Sequence, residues 1–162
     1  MCLPFQATST TDARRRGFSL IELVMVISII GTFAAIAMPR YGNALVRYRV
    51  DAAAQRILAD LDYARTQAMI RSKPQTIAFD VSANSYALAG IEGLNARLAT
   101  YSVVLASEPY RADLFSASFG GSPTVTFDIF GIPNAAGTVV VQIGSASRTI
   151  TLNVKTGKAS SG

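Results

Sequence analysis

Arg14-Arg15-Arg16-Gly17-Phe18-Ser19-Leu20-Ile21-Glu22-Leu23-Val24 opens a run that continues to Met38-Pro39, and the reading of the rest of the chain depends on it. Three arginines meet a glycine, and an almost purely apolar segment begins at once. Residues 18–38 number 21 and carry one charge, that of Glu22. As a helix they extend about 31 Å, the thickness of a bilayer's hydrocarbon core. A plain membrane anchor has no use for a carboxylate four residues into it.

Four readings of this stretch compete. A single-pass anchor explains the length and the flanking arginines, but a mid-bilayer acid costs about 2.5–3.5 kcal/mol on insertion scales, less near the interface. A secretory signal peptide cut after Ala35-Ile36-Ala37 fits the A-x-A pattern and would release a domain starting at Met38. A twin-arginine signal has its pair and aromatic in Arg15-Arg16-Gly17-Phe18. Glu22 stands inside what should be an uncharged segment, which counts against both signals.

The fourth reading is a resemblance. Arg16-Gly17-Phe18-Ser19-Leu20-Ile21-Glu22-Leu23 resembles the processing signal of type IV prepilins and of the pseudopilins of type II secretion. The resemblance implies that a membrane-embedded aspartyl prepilin peptidase cuts between Gly17 and Phe18 on the cytoplasmic side and then N-methylates Phe18. We adopt this reading over the other three, because it gives Glu22 a role. The cut creates an α-amine with a free pKa of about 7.7–8.0, and a carboxylate in an apolar filament core needs such a partner. In the family this carboxylate is thought to meet the amine of a neighbouring subunit and set axial register. The plainer alternative pairs Glu22 with its own Phe18 amine, four residues away.

Two features depart from the pattern. The 17-residue leader is longer than the usual prepilin leader, and Arg40, Arg47 and Arg49 beyond the apolar run blunt the positive-inside asymmetry. Orientation is left to Arg14, Arg15 and Arg16.

Composition sets bounds. Of 162 residues, 124 follow the apolar run, enough for one modest domain. Mean hydropathy is +0.33, partly because of that run. Net charge is +5, of which residues 1–17 hold +2, so the remainder argues only weakly for a nucleic-acid partner. Cys2 is the one cysteine, so no intrachain disulfide forms, and with the apolar stretch following it Cys2 sits in no lipobox. There is no histidine, which excludes histidine acid–base catalysis and His/Cys zinc sites.

Beyond Pro39, Val46, Val50, Ala53, Ile57, Leu61, Ala64 and Ala68 recur at spacings of three and four, an amphipathic stripe. The spacing predicts one long helix over 18–72, kinked near Pro39 and closed by Lys73-Pro74. Strands are predicted over 76–81, 85–89, 98–106, 114–119, 124–130, 138–143 and 148–154. The segments 90–95, 107–112, 131–137 and 144–147 read as loops or turns.

Three later segments narrow the resemblance. Residues 64–74, entering a strand at once, look like the helix-to-sheet junction of the GspH/FimT group. Phe127-Asp128-Ile129-Phe130-Gly131-Ile132-Pro133 resembles its F-D-x-x-G-x-P segment, and Leu152-Asn153-Val154-Lys155-Thr156-Gly157-Lys158 its last strand ending in T-G-[KR]. The bland reading of each is structural: Gly131 and Gly157 supply turn conformations, Asp128 caps a turn, and Lys155 and Lys158 are solvated charges. The resemblance implies a minor pseudopilin near the tip of a short periplasmic fibre. Some FimT-like pilins bind DNA through a basic tail, but Arg148, Lys155 and Lys158 lack interleaved aromatics, which argues against DNA here.

No catalytic pair emerges. Asp80, Glu92, Glu108, Asp113 and Asp128 are scattered, and Asp60 and Asp62 point about 200° apart on a helix. No loop gathers the oxygen ligands of a calcium site. No cofactor, metal or catalytic residue is assigned.

The fold class expected is α+β and pilin-like. A leader (1–17), a transmembrane and assembly helix (18–38) and its amphipathic half (39–74) precede a periplasmic antiparallel β domain of two small sheets (75–162). The function expected is that of a minor pseudopilin of the type II secretion pseudopilus, anchored once in the inner membrane. Its expected partners are the prepilin peptidase, other major and minor pseudopilins and the secretion platform. The alternatives are a FimT-like minor type IV pilin and a soluble β domain released at Ala37.

Overall fold

The structure, a computed structural model, describes residues 17–93 and 96–162, with backbone alone for 36–40, 92, 93 and 96–100. The leader residues 1–16, with Arg14, Arg15 and Arg16, lie outside the described residues. The chain divides into two compact units, Met1–Arg40 and Tyr41–Gly162.

Helix α1 runs over Leu20–Arg71, 52 residues, close to the expected bounds. Pro39 is helical in backbone, but the kink expected there falls on a residue whose side chain lies outside the described residues. The helix ends in a Schellman arrangement. Lys73 N–H bonds the Ala68 carbonyl (3.2 Å) and Ser72 N–H the Met69 carbonyl (3.4 Å), with Ser72 at φ 49°. Pro74 then prevents continuation.

In the first unit, Leu20, Ile21, Leu23, Met25, Ile27, Ile30 and Phe33 are all exposed, so the helix is apolar round its whole circumference. Such a helix needs lipid or other helices around it. Its two hydroxyls stay within it: Ser28 donates to the Val24 carbonyl (2.7 Å) and Thr32 to the Ser28 carbonyl (2.8 Å). Among the described residues no helix is long and apolar enough to cross a membrane. The end of the run, residues 36–38, carries no described side chains.

In the second unit the predicted stripe is the buried face of α1 from Val50 on, while Val46 at its start is only half-buried. Val50, Ala53, Ile57, Leu61, Ala64 and Ala68 are each no more than 1 % exposed. The small alanines let the sheets approach the helix closely.

Eight strands follow: β1 (Gln75–Asp80), β2 (Ser85–Gly93), β3 (Ala96–Val104), β4 (Asp113–Phe119), β5 (Thr124–Phe127), β6 (Gly137–Ile143), β7 (Ala146–Leu152) and β8 (Ala159–Ser161). They form two four-stranded antiparallel sheets, ordered β3-β2-β1-β5 and β4-β6-β7-β8. Inward residues of both sheets, among them Ile77, Leu88, Val125, Phe127, Val139, Val141, Ile150 and Leu152, join the helix stripe in one core.

Several boundaries are corrected. Residues 90–93, expected as a loop, continue β2 through a register shift after Leu88, with Gly90 at φ +72° absorbing the irregularity. The segment 124–130 stops as a strand at Phe127, where Asp128 begins a turn. The loop 144–147 shortens to a two-residue hairpin turn, with Gly144 (φ +59°) at the first central position, as a type II′ turn requires. The terminal strand β8 was not anticipated. It pairs Ile150↔Ser161 and Leu152↔Ala159 from a short polar segment with no strand-forming composition.

Gly157 is where the fold admits least change. Its φ is +66°, and a Cβ there would lie 2.2 Å from the Gly131 carbonyl oxygen. Gly157→Ala is expected to cost about 2–4 kcal/mol from backbone strain and overlap together. Urea denaturation of the purified chain in detergent reads this as a lowered midpoint with unchanged slope.

Candidate functional site

The processing and assembly residues lie at the described start of the chain. Gly17, Phe18 and Ser19 precede α1, and Leu23 N–H bonds the Ser19 carbonyl (3.1 Å), which makes Ser19 the N-cap. Glu22 therefore falls in the first helical turn, where the helix dipole favours a carboxylate whatever its later partner. The Ser19-Leu20-Ile21-Glu22 spacing is that of a capping box, a signal the sequence reading passed over. Phe18 is 81 % exposed, open to an enzyme or to a neighbouring chain. A Cβ on Gly17 would meet no described atom within 4 Å, so nothing in the described chain requires glycine there.

A second polar centre, missed from sequence, is buried between the helix and the first sheet. Asp60, only 6 % exposed, accepts hydrogen bonds from the Tyr86 hydroxyl (2.5 Å), the Tyr101 hydroxyl (2.9 Å) and Arg56 Nε (3.1 Å). Arg56 also donates to the Tyr101 hydroxyl and lies 5.8 Å from that ring's centroid. The carboxylate is thus fully partnered despite its burial. Burial, and next the Asp60 charge, raise the Tyr86 phenol well above its ordinary pKa. Tyr101 moves the same way, by burial first and then by its hydrogen bond to Asp60.

The sign of the linkage follows. A phenol whose pKa is raised in the folded state contributes stability in full below the unfolded pKa of about 10 and loses it as pH rises through the folded value. Tyr86→Phe is therefore expected to lower stability at neutral pH by about 1.5–3 kcal/mol, for one hydrogen bond to a charged group. It should also flatten the decline in stability above about pH 10. Urea midpoints at pH 8 and pH 11 for parent and variant check both.

The three segments quoted from the β region and helix end meet at one point. Arg65 Nε donates to the Gly131 carbonyl (3.3 Å), and a Cβ on Gly157 would sit 2.9 Å from Arg65 Nε and 2.2 Å from that same carbonyl. Asp128 Oδ1 accepts from the Phe130 (2.9 Å) and Ile132 (2.8 Å) amides, the turn-capping role expected of it. Gly131 has φ +75°. Lys155 and Lys158 are exposed. In the fold these motifs thus meet as a helix-to-turn-to-tail clasp. Among the described residues no group of three or more acidic, cysteine or histidine side chains is placed to hold a metal ion.

Among the described residues one helix, whose apolar first part follows Gly17-Phe18, leads into two antiparallel sheets, and this defines a pilin-like protein. The chain belongs to the GspH family, described as Type II transport protein GspH, whose match covers residues 53–157. Residues 12–38 match the prokaryotic N-terminal methylation motif. The chain is 31 % identical over 77 residues to type II secretion system protein H of Xanthomonas campestris pv. campestris, covering 48 % of this chain and 46 % of that one. It is 42 % identical over 52 residues to the type IV major fimbrial protein FimA of Dichelobacter nodosus, 32 % of this chain and 31 % of that one. These matches thus span less than half the length of either relative.

Among solved structures, the minor pseudopilin EpsH from the type 2 secretion system of Vibrio cholerae superposes with TM-score 0.53 at 14 % identity, over 70 % of this chain and 95 % of that one. The type IV minor pilin FimU of Pseudomonas aeruginosa does so with TM-score 0.52 at 17 % identity, over 70 % and 88 %. At such identities the likeness establishes the fold. The pilin-like α+β expectation holds.

Proposed function

We propose that the chain is a minor pseudopilin, a non-enzymatic structural subunit of a type II secretion pseudopilus serving protein export across the outer membrane. One observation carries this: a GspH-family domain over 53–157 stands behind a methylation motif over 12–38. In this reading the prepilin peptidase cuts between Gly17 and Phe18 and methylates the new Phe18 amine. Residues 18–38 cross the inner membrane once, and the domain from 75 onward lies in the periplasm. Glu22 takes the Phe18 amine of a neighbouring subunit during assembly, and other pseudopilins and the secretion platform are the partners. The exposed first part of α1, apolar on every side apart from Glu22 and two hydroxyls bonded within the helix, supports a helix that exchanges lipid for other helices.

Mass spectrometry of the mature chain tests the processing: a chain beginning at N-methyl-Phe18 supports it, and one beginning at Met38 removes it. The FimU likeness favours a second reading, a FimT-like minor pilin in pilus assembly or DNA uptake. Disruption separates the two. Loss of exported protein with intact pili supports the secretion role, whereas loss of pili with export intact replaces it.

A further inference from the structure

Among the described side chains, the arginines of the second unit are almost all committed. Arg49 and Arg111 share Glu108 (3.9 and 2.6 Å), Arg56 has Asp60 (3.1 Å), Arg65 has Asp62 (3.8 Å) and Arg148 has Asp51 (2.6 Å). Arg71 donates to the Gly90 carbonyl (3.1 Å). Arg47, among the described residues, has no such partner. The carboxylate that would serve it one turn along α1 is Asp51, at i+4, and the β7 residue Arg148 holds that carboxylate.

Arg47 instead lines a cavity of about 270 Å³ with Asn43, Val46, Ser145 and Ala146, where α1 passes the β6–β7 turn. Arg47, Asn43 and Ser145 bring a guanidinium, an amide and a hydroxyl to this lining, and none of the lining residues carries a carboxylate. That is the chemistry of an oxyanion site, and a guanidinium fork suits a phosphate in particular. The volume falls below the roughly 300–1,000 Å³ of small-molecule pockets, so it fits a headgroup fragment rather than a whole metabolite.

The sequence position supplies the source. Asn43 and Arg47 follow Met38, the end of the apolar run, by five and nine residues. Along a helix that is a rise of about 7–14 Å, at and just past the outer edge of a headgroup zone about 5–7.5 Å deep, which a long side chain directed back toward the helix N-terminus reaches. Tyr41 and Tyr48, 73 % and 71 % exposed, flank this segment as interfacial aromatics do.

We propose that Arg47, with Asn43 and Ser145, holds the phosphodiester of a membrane phospholipid headgroup and so moors the β6–β7 turn to the bilayer surface. The inference rests on the reading of residues 18–38 as a membrane span.

The test is calorimetric titration of the full chain in detergent with short-chain phosphatidylglycerol. Saturable binding that Arg47→Gln weakens on the order of tenfold or more is expected, with Arg71→Gln unchanged and inorganic phosphate unable to displace the lipid. Equal binding by Arg47→Gln overturns the proposal. Displacement by inorganic phosphate overturns the lipid assignment and makes this a free-phosphate site. Arg47 is exposed and carries no internal bond, so its loss leaves folding intact, which an unchanged urea midpoint verifies. The mature N-terminus is read separately, so a failure here leaves N-methyl-Phe18 untouched, and an unprocessed Phe18 leaves the titration valid.

Discussion

Gly17→Ala is expected to abolish removal of the leader, so that the chain persists at its precursor mass while its domain folds as before. The two halves of this result separate recognition from structure. A methyl group at residue 17 meets no described atom of the chain within 4 Å, so it adds no strain. Any loss must then arise in the peptidase, whose access to the 17–18 bond a Cβ would obstruct. Intact mass before and after co-expression with the prepilin peptidase measures it, and efficient cleavage of the variant would show that Gly17 is not the recognised residue. Glu22→Ala should behave oppositely. It should be cleaved nearly as well as the parent but fail to enter the fibre, and normal assembly by that variant would refute the register role. Glu22 also stabilises the first turn of α1 by about 0.3–1 kcal/mol, too little to account for such a failure.

The second large effect concerns Asp60. Asp60→Ala should destabilise the domain by about 3–5 kcal/mol, the range for breaking a buried charged pair. Three donors lose their acceptor at once, from Tyr86, Tyr101 and Arg56. Arg56 is 38 % exposed in its side chain and recovers water, but Tyr86, 2 % exposed, does not. Asp60→Asn, which keeps the shape and one acceptor oxygen, should cost less than half as much, separating the charge from the packing. Chemical denaturation of both variants checks the order, and equal losses would show that the charge and second acceptor oxygen of the carboxylate, rather than its volume, hold this site.

The helix was legible because its stripe has a period, and Val50 to Ala68 fell on the buried face that the spacing required. The turn roles of Gly131, Gly157 and Asp128 were legible because each residue type has a narrow local use. Asp60 was not, since its partners lie 26 and 41 residues further on, on β2 and β3, and nothing in its neighbourhood announces burial. That Asp60 and Asp62 point apart on the helix was legible, and one is internal, the other solvated. The strand at 90–93 was lost to Gly90 and Gly93, which local rules read as a loop although the ladder tolerates an irregularity there. The spacing of Arg65, Gly131 and Gly157 could not by itself place them at one point.

The sheet order has a consequence for the chain before it is folded. The first sheet sets Ile77 of β1 against Val125 of β5, and the second is built round β6 and β7, which begin at Gly137 and Ala146. Neither core layer closes on the first half of the β region alone, and the clasp of Arg65 and Gly131 waits for Gly157. A polypeptide threaded through a narrow conduit from its N-terminal side would complete neither sheet until β5 and β6–β8 had followed. Late closure of this kind keeps the chain threadable during transit and makes β5 and β6–β8 indispensable to the two sheets.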